Sequence, residues 1–137
     1  LSNANFYEAD LTDARLAYAD LPNAYLYRTN FTNANLYDAD LTNANIQQAD
    51  LTNANLYDAD LTNARLRLAD LTDANLQYVD LTDADLRNTD LTNALLTYAN
   101  LTGADFTSAT VTNADFYATT WSNTIWTDGI AYDTNQA

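Results

Sequence analysis

A chain of 137 residues with five arginines, nineteen acids, two glycines and one proline, and with no lysine, histidine, cysteine or methionine, is bounded to one domain of net charge −14. The missing side chains exclude Cys/His zinc sites, disulfides, thiolate nucleophiles, Ser-His-Asp triads, lysine Schiff bases and the phosphate-binding lysine of nucleotide-binding loops. Such acidity repels free nucleic acid and anionic membranes, and it favours partners that present basic grooves.

The chain opens at Leu1 directly into a repeating pattern, with no charged and apolar leader ahead of it. The absence of an initial methionine points to a processed chain or an excised domain. No apolar run reaches the roughly 18 residues of a membrane span, so the segment is expected to be soluble and not to insert in a bilayer. Its compartment stays open between cytoplasm and a periplasmic or lumenal space, because a lack of cysteine suits either.

The repeat has a period of five. Every fifth residue from Leu1 to Trp126 is large and apolar: 18 Leu, four Phe, two Trp, one Ile and one Val across 26 positions, here called centres. Two residues before each centre, from Ala4 to Thr124, 20 of 25 positions are Ala, the exceptions being Thr29, Val79, Thr89, Thr119 and Thr124. Asp or Asn commonly precedes the centre, and Thr or Tyr commonly follows it. A period of five fits neither a helix nor a strand, since both would scatter the centres around the element. A coil with a corner every five residues buries them: centre and Ala point inward and the other three side chains face water. Ala is small because two inward residues share each side of a narrow lumen.

Rows of twenty residues align further columns, which argues for four sides per coil. Thr12, Thr32, Thr52, Thr72, Thr92 and Thr112 form one column; Asp20, Asp40, Asp60 and Asp80 form another; Asn35, Asn55 and Asn75 form a third. At the second position after the centre, Asn43, Asn53, Asp73 and Gly103 suit the positive φ of a type II turn. Tyr18, Leu68, Tyr78 and Tyr98 occupy the same position and would resist it, so type I or irregular corners are expected there. Pro22, one residue after a centre, suits the second position of a turn.

The motif A-D/N-L-x-x, unbroken over most of the chain, resembles the pentapeptide repeat family. That resemblance implies an all-β fold: a right-handed quadrilateral β-helix, a solenoid of four pentapeptides per coil and about six coils over residues 1–126. It also implies short bridges between coils. Some members of the family mimic a DNA duplex and occupy the DNA groove of a type II topoisomerase.

Towards the end the centres swell to Phe116, Trp121 and Trp126, after which the pattern fails at Gly129, Ile130 and Tyr132. Trp121 and Trp126 are therefore expected to cap the core, with residues 127–137 forming the rest of a lid and a disordered tail from Asp133. The other end has no lid. An open first coil predicts either a preceding segment or an end-to-end dimer through that coil.

On the surface, the Asp20, Asp40, Asp60 and Asp80 ladder should hold acids about 4.8 Å apart. A Ca²⁺ role is outweighed by the tendency of Asp before a turn to accept backbone hydrogen bonds, so no metal or other cofactor is assigned. Repetition on a convex rod also argues against a catalytic pair, and no enzyme activity is expected. The candidate interaction surface is Arg65, Arg67 and Arg87 with Tyr25 and Tyr27 on one side, and Tyr37 with Tyr57 and Tyr78 with Tyr98 stacked on the other, since Tyr and Arg favour interfaces. The function read from these features is a structural or protein-interaction module that binds a protein partner or its own copy. The alternative is a DNA mimic that inhibits or protects gyrase.

Overall fold

A pentapeptide such as residues 41–45 carries five backbone amides that need acceptors, and the neighbouring coils supply three of them. The computed structural model describes residues 1–132 and Thr134. In residues 41–45, the Ala44 amide donates to the Leu41 carbonyl at 2.9 Å and closes a turn. The amides of Leu41 and Asn43 donate at 2.8 and 2.9 Å to the carbonyls of Asp60 and Thr62 in the next coil, and the Asn45 amide donates at 2.9 Å to Ala24 in the previous one. The fifth amide, on Thr42, donates to a side chain, Asp40 Oδ1, at 2.9 Å. Asp or Asn before the centre is thus the acceptor that completes the backbone.

Parallel bridges join residues 20 apart at every fifth position, from Asn5↔Tyr25 to Asp105↔Ile125. Four pentapeptides therefore make one turn of a quadrilateral β-helix, and the bridging residues run in four straight columns. Face 1 carries the column through Tyr25, Arg65 and Asp85; face 2, the column through Asp50, Asp70 and Asp90; face 3, Asn35, Asn55 and Asn75; face 4, Asp20, Asp40, Asp60 and Asp80. Faces 1 and 3 are opposite, as are faces 2 and 4. Between faces lie the corners, each made of the two residues after a centre.

All the corners share one conformation. Every fifth residue from Asn3 to Asn123 has positive φ, including Tyr18 (60°), Leu68 (61°), Tyr78 (60°) and Tyr98 (64°), whereas the residues just before them do not. The expectation of type I or irregular corners at these four positions is therefore overturned; they are type II like the rest. The reason is the ladder. Leu68 donates its amide to the Arg87 carbonyl at 3.2 Å, and Tyr18 to the Tyr37 carbonyl at 2.8 Å, bonds that require the same corner shape in adjacent coils. Inter-coil bonding thus overrides a local cost of about 1 kcal/mol for a non-glycine residue in the left-handed region.

From Leu21 to Phe106 the centres and the Ala positions are all buried in one continuous core. Where Thr replaces Ala, its hydroxyl finds a carbonyl: Thr29 donates to Phe6, Thr89 to Leu86, Thr119 to Phe116 and Thr124 to Leu101, at 2.7–2.8 Å. A buried hydroxyl is tolerated because it is paired. The first coil differs: Leu1 is exposed, and Phe6, Leu11 and Leu16 are half-buried.

At the far end, strand β1 (Thr124–Ile125) pairs antiparallel with β2 (Ala131–Tyr132). Asp128 and Gly129 turn the chain between them, and the Gly129 amide donates to the Trp126 carbonyl at 2.9 Å. This hairpin carries Trp126 over the core, where its ring lies 4.8 Å from Trp121, 5.1 Å from Phe116 and 5.5 Å from Phe106. β1 also bridges Asp105 through Ile125, so the lid is continuous with the last coil. The tail expected from Asp133 lies, apart from Thr134, outside the described residues.

Candidate functional surface

The outward side chains sort into columns of distinct chemistry. The Asp ladder of face 4 is mostly committed to the backbone: Asp40, Asp60 and Asp80 accept the amides of Thr42, Thr62 and Thr82 at 2.8–2.9 Å. Asp20 is the exception in kind, because Pro22 has no amide to offer it. On face 2, Asp50, Asp70 and Asp90 do the same for Thr52, Thr72 and Thr92 at 2.9 Å. Asp10 accepts both the amide and the hydroxyl of Thr12, and these hydrogen bonds hold its carboxyl below the ordinary value. Two opposite faces of the rod thus carry columns of aspartate one coil apart. Among the described residues, no group of three or more Asp or Glu is arranged to hold a metal ion.

On face 3 the Asn column forms an amide ladder, Asn75 Nδ2 donating to Asn55 Oδ1 at 3.0 Å and Asn55 Nδ2 to Asn35 Oδ1 at 3.1 Å. Beside it, at the corner between faces 3 and 4, six tyrosines form one continuous column. Successive ring centroids of Tyr18, Tyr37, Tyr57, Tyr78, Tyr98 and Tyr117 lie 5.4, 5.5, 5.2, 5.0 and 5.9 Å apart. The two separate pairs expected from sequence, Tyr37 with Tyr57 and Tyr78 with Tyr98, are joined by the Tyr57–Tyr78 contact, and Tyr18 and Tyr117 extend the column at either end. Sequence reasoning missed this because the tyrosines switch between the first and second position after the centre. Both positions reach the same corner, so treating them as one column would have found it. Proximity to Tyr18, then burial, then the charges of Asp38 and Asp58, raise Tyr37 above the ordinary phenol value.

Four of the five arginines concentrate diagonally across the rod, and Arg15 lies in the face 3 column. Arg65 lies in the face 1 column, and Arg28, Arg67 and Arg87 lie along the corner between faces 1 and 2. Arg87 grips Asp85 with Nε and Nη2 at 2.7 and 2.6 Å and has Asp105 at 3.6 Å, so it braces neighbouring coils. Burial works to raise Asp85, but the Arg87 hydrogen bonds and the charges of Arg87 and Arg67 outweigh it and hold its carboxyl below the ordinary value. Arg28 is likewise tied to Glu8 at 3.3 Å and Gln48 at 2.9 Å, with its guanidinium 5.4 Å from the Tyr27 ring centre. Tyr7, Tyr25 and Tyr27 stack there at 6.0–6.3 Å. Arg65 and Arg67 form no ion pair among the described residues, and exposed Leu68 follows them. Within the candidate surface Arg87 is ion-paired while Arg65 and Arg67 are not, Tyr25 lies in the face 1 column, and Tyr27 and the six-tyrosine column occupy separate corners.

Comparison with known proteins agrees with this geometry. A family profile described as pentapeptide repeats (8 copies) matches residues 9–48, 49–88 and 84–123. The chain is similar to the solved structure of a pentapeptide repeat protein from the thylakoid lumen of Arabidopsis thaliana, with 36% identity over 66% of this chain and 63% of that one and a TM-score of 0.64. A pentapeptide repeat protein from Nostoc PCC 7120 shares 46% identity over 61% of this chain and 68% of that one, with a TM-score of 0.59. HetL, described as involved in heterocyst differentiation regulation in a Nostoc cyanobacterium, shares 29% identity over 95% of this chain and 71% of that one, with a TM-score of 0.47. The chain thus spans roughly two thirds of the length of these solved relatives. No curated protein matches it. No catalytic family is indicated, and among the described residues no helix is long and apolar enough to cross a membrane.

Proposed function

Because this chain belongs to the pentapeptide repeat family, whose members fold as right-handed quadrilateral β-helices, we propose that it is a non-catalytic protein-interaction module: a rigid acidic rod of about six coils that binds through its long sides. The observation that carries this reading is the arrangement of side chains in straight columns on a convex surface. Catalysis requires unlike groups to converge on one point, whereas here like groups repeat one coil apart. Extended contacts, by contrast, are well served by a periodic side. The half-buried first coil is a second contact, through which another copy docks end to end. The rod acts without a cofactor, in solution, and does not bind nucleic acid directly.

Affinity capture by the intact chain and by variants altered on one side at a time tests this. A partner lost only when Asp60→Asn and Asp80→Asn are combined, or only when Arg65→Ser and Arg67→Ser are, supports the rod. Absence of any partner sensitive to a single side would overturn it.

A second reading, DNA mimicry towards a type II topoisomerase, is favoured by one observation: the aspartate columns of faces 2 and 4 stand on opposite sides of the rod, as phosphate strands do on a duplex. Titration into a gyrase supercoiling assay decides it. Inhibition that weakens in the Asp60→Asn/Asp80→Asn variant would establish mimicry; full supercoiling at high protein concentration would remove it.

A further inference from the structure

The tyrosine column has properties that stacking between coils does not require. Three of its members, Tyr18, Tyr78 and Tyr98, occupy corner positions of positive φ, where Asn and Asp recur elsewhere in the chain. All three are exposed, as is Tyr117. The corner shape is common to the whole chain, so what folding does not require is the choice of an exposed ring where Asn or Asp would serve. The column is also flanked asymmetrically, by the aspartates of face 4 on one side and the asparagine ladder of face 3 on the other, with Asp38 and Asp58 inside the corner itself.

The backbone narrows the kind of partner. Along the sides of the rod the bridging amides and carbonyls are consumed by the neighbouring coils, so a strand cannot add there by β-augmentation. A partner must bring a chain that needs no backbone pairing and present groups that suit phenol edges and carboxylates. Polyproline II satisfies both: it has no internal hydrogen bonds, its carbonyls point outward to accept from hydroxyls, and its rings pack on aromatic surfaces. Its three-residue turn rises about 9.3 Å, close to two coils of the rod at about 4.8 Å each. A basic residue at every third position would therefore meet the Asp20, Asp40, Asp60 and Asp80 column in phase at every second coil.

We propose that the tyrosine corner is a docking rail for an extended proline-rich segment carrying arginine or lysine at every third residue. This rests on the interaction-rod reading and specifies the partner of one of its sides. Prolines lie along the rings, phenol hydroxyls donate to the segment's carbonyls, and its cations face the aspartates of face 4.

The test is calorimetric titration of the peptide (Pro-Pro-Arg)3 into the intact chain at physiological salt. Binding is expected, and the Tyr78→Asn/Tyr98→Asn variant should weaken it at least about tenfold. Asn suits those corners, so the variant keeps its fold, which its Tm verifies. Asp60→Asn should weaken binding and flatten its salt dependence. The equally charged (Gly-Ser-Arg)3 should bind at least about tenfold more weakly. The proposal is overturned if (Pro-Pro-Arg)3 does not bind, if (Gly-Ser-Arg)3 binds as well, or if the tyrosine variant binds like the parent. It is also overturned if the column is an interface between copies, seen as a dimer mass for the parent that falls to monomer in the tyrosine variant. Failure here, with capture by another side intact, removes the rail and leaves the rod.

Discussion

Asp60 Oδ1 accepts the backbone amide of Thr62 at 2.8 Å while its bridging neighbours, Asp40 and Asp80, stand one coil away on either side. Capping and repulsion therefore act on the same carboxylate. Removing the cap with Asp60→Ala should cost about 1 kcal/mol, the usual value for losing a side-chain acceptor of a free amide. Asp60→Asn keeps the acceptor, as Asn30 does for Thr32 at 2.9 Å. It also removes two repulsions of about 0.9 kcal/mol each in water-like dielectric. Asp60→Ala relieves the same repulsions but loses the cap, so urea denaturation should rank Asn above Ala by about 1 kcal/mol, with Asn at or above the parent.

The Asp85–Arg87 pair predicts a pH dependence of defined sign. Asp85 titrates below its ordinary value of 3.8 in the folded chain. Its contribution to stability is thus fully present above the unfolded value and is lost as pH falls through the folded one. The difference in Tm between the parent and Asp85→Asn should therefore be constant near neutrality and shrink below about pH 4. A difference that grew on acidification would contradict the assignment.

Gly103 breaks a column of corner residues that is otherwise Asn or Asp. At the diagonally opposite corner, Asn33 and Asn93 donate to Asp13 and Asp73 one coil below at 3.1 and 3.0 Å, whereas Gly103 offers nothing to Asp83. A Cβ at Gly103 would meet only the movable carboxylate end of Asp83 closely, and φ there is +70° as at the other corners. Gly103→Asn sets lower unfolded-state entropy and one new hydrogen bond against a left-handed backbone cost of about 1 kcal/mol, so stability should stay within about 1 kcal/mol of the parent. Thermal denaturation would show a nearly unchanged midpoint; a large fall would mean that Asp83 cannot move aside.

Inside the lumen the two inward positions differ in tolerance. Leu66→Ala opens a cavity at a fully buried centre and should cost about 2–5 kcal/mol. Ala64→Leu adds volume where two inward residues share a side and should cost about 1–3 kcal/mol through strain. Equilibrium unfolding of both variants checks the pair.

Much of this architecture was legible from spacing alone. Ala, Leu and their period of five require an inward pair at each side, and the column of Asp20, Asp40, Asp60 and Asp80 already displays the register of 20 that the bridges show. What local reasoning misjudged were Tyr18, Leu68, Tyr78 and Tyr98, because residue preference for φ is weaker than the inter-coil bonds that shape every corner. The continuity of the tyrosine column was hidden for a related reason: its rings come from two alternating sequence positions. The antiparallel hairpin of the lid had only Asp128-Gly129 to announce it. Arg65, Arg67 and Arg87 look equivalent in sequence, and only the carboxylates of Asp85 and Asp105 distinguish the third.

The lid should govern fraying. Trp126→Ala removes ring contacts with Trp121, Phe116 and Phe106. Amide exchange should accelerate most in the last coil and decline towards the middle, since each coil is held chiefly by its neighbours. Uniform acceleration along the chain would show that the solenoid opens as one unit.

Because every corner has the same backbone shape whatever residue fills it, the chain has two distinct kinds of length change. Deleting 20 residues shortens the rod and leaves each later side chain on its original side. Deleting five leaves the backbone equally content but rotates everything downstream by a quarter turn, breaking the tyrosine line and moving its far half onto another corner. Growth and loss by whole turns preserve the surface message; growth and loss by single units rewrite it.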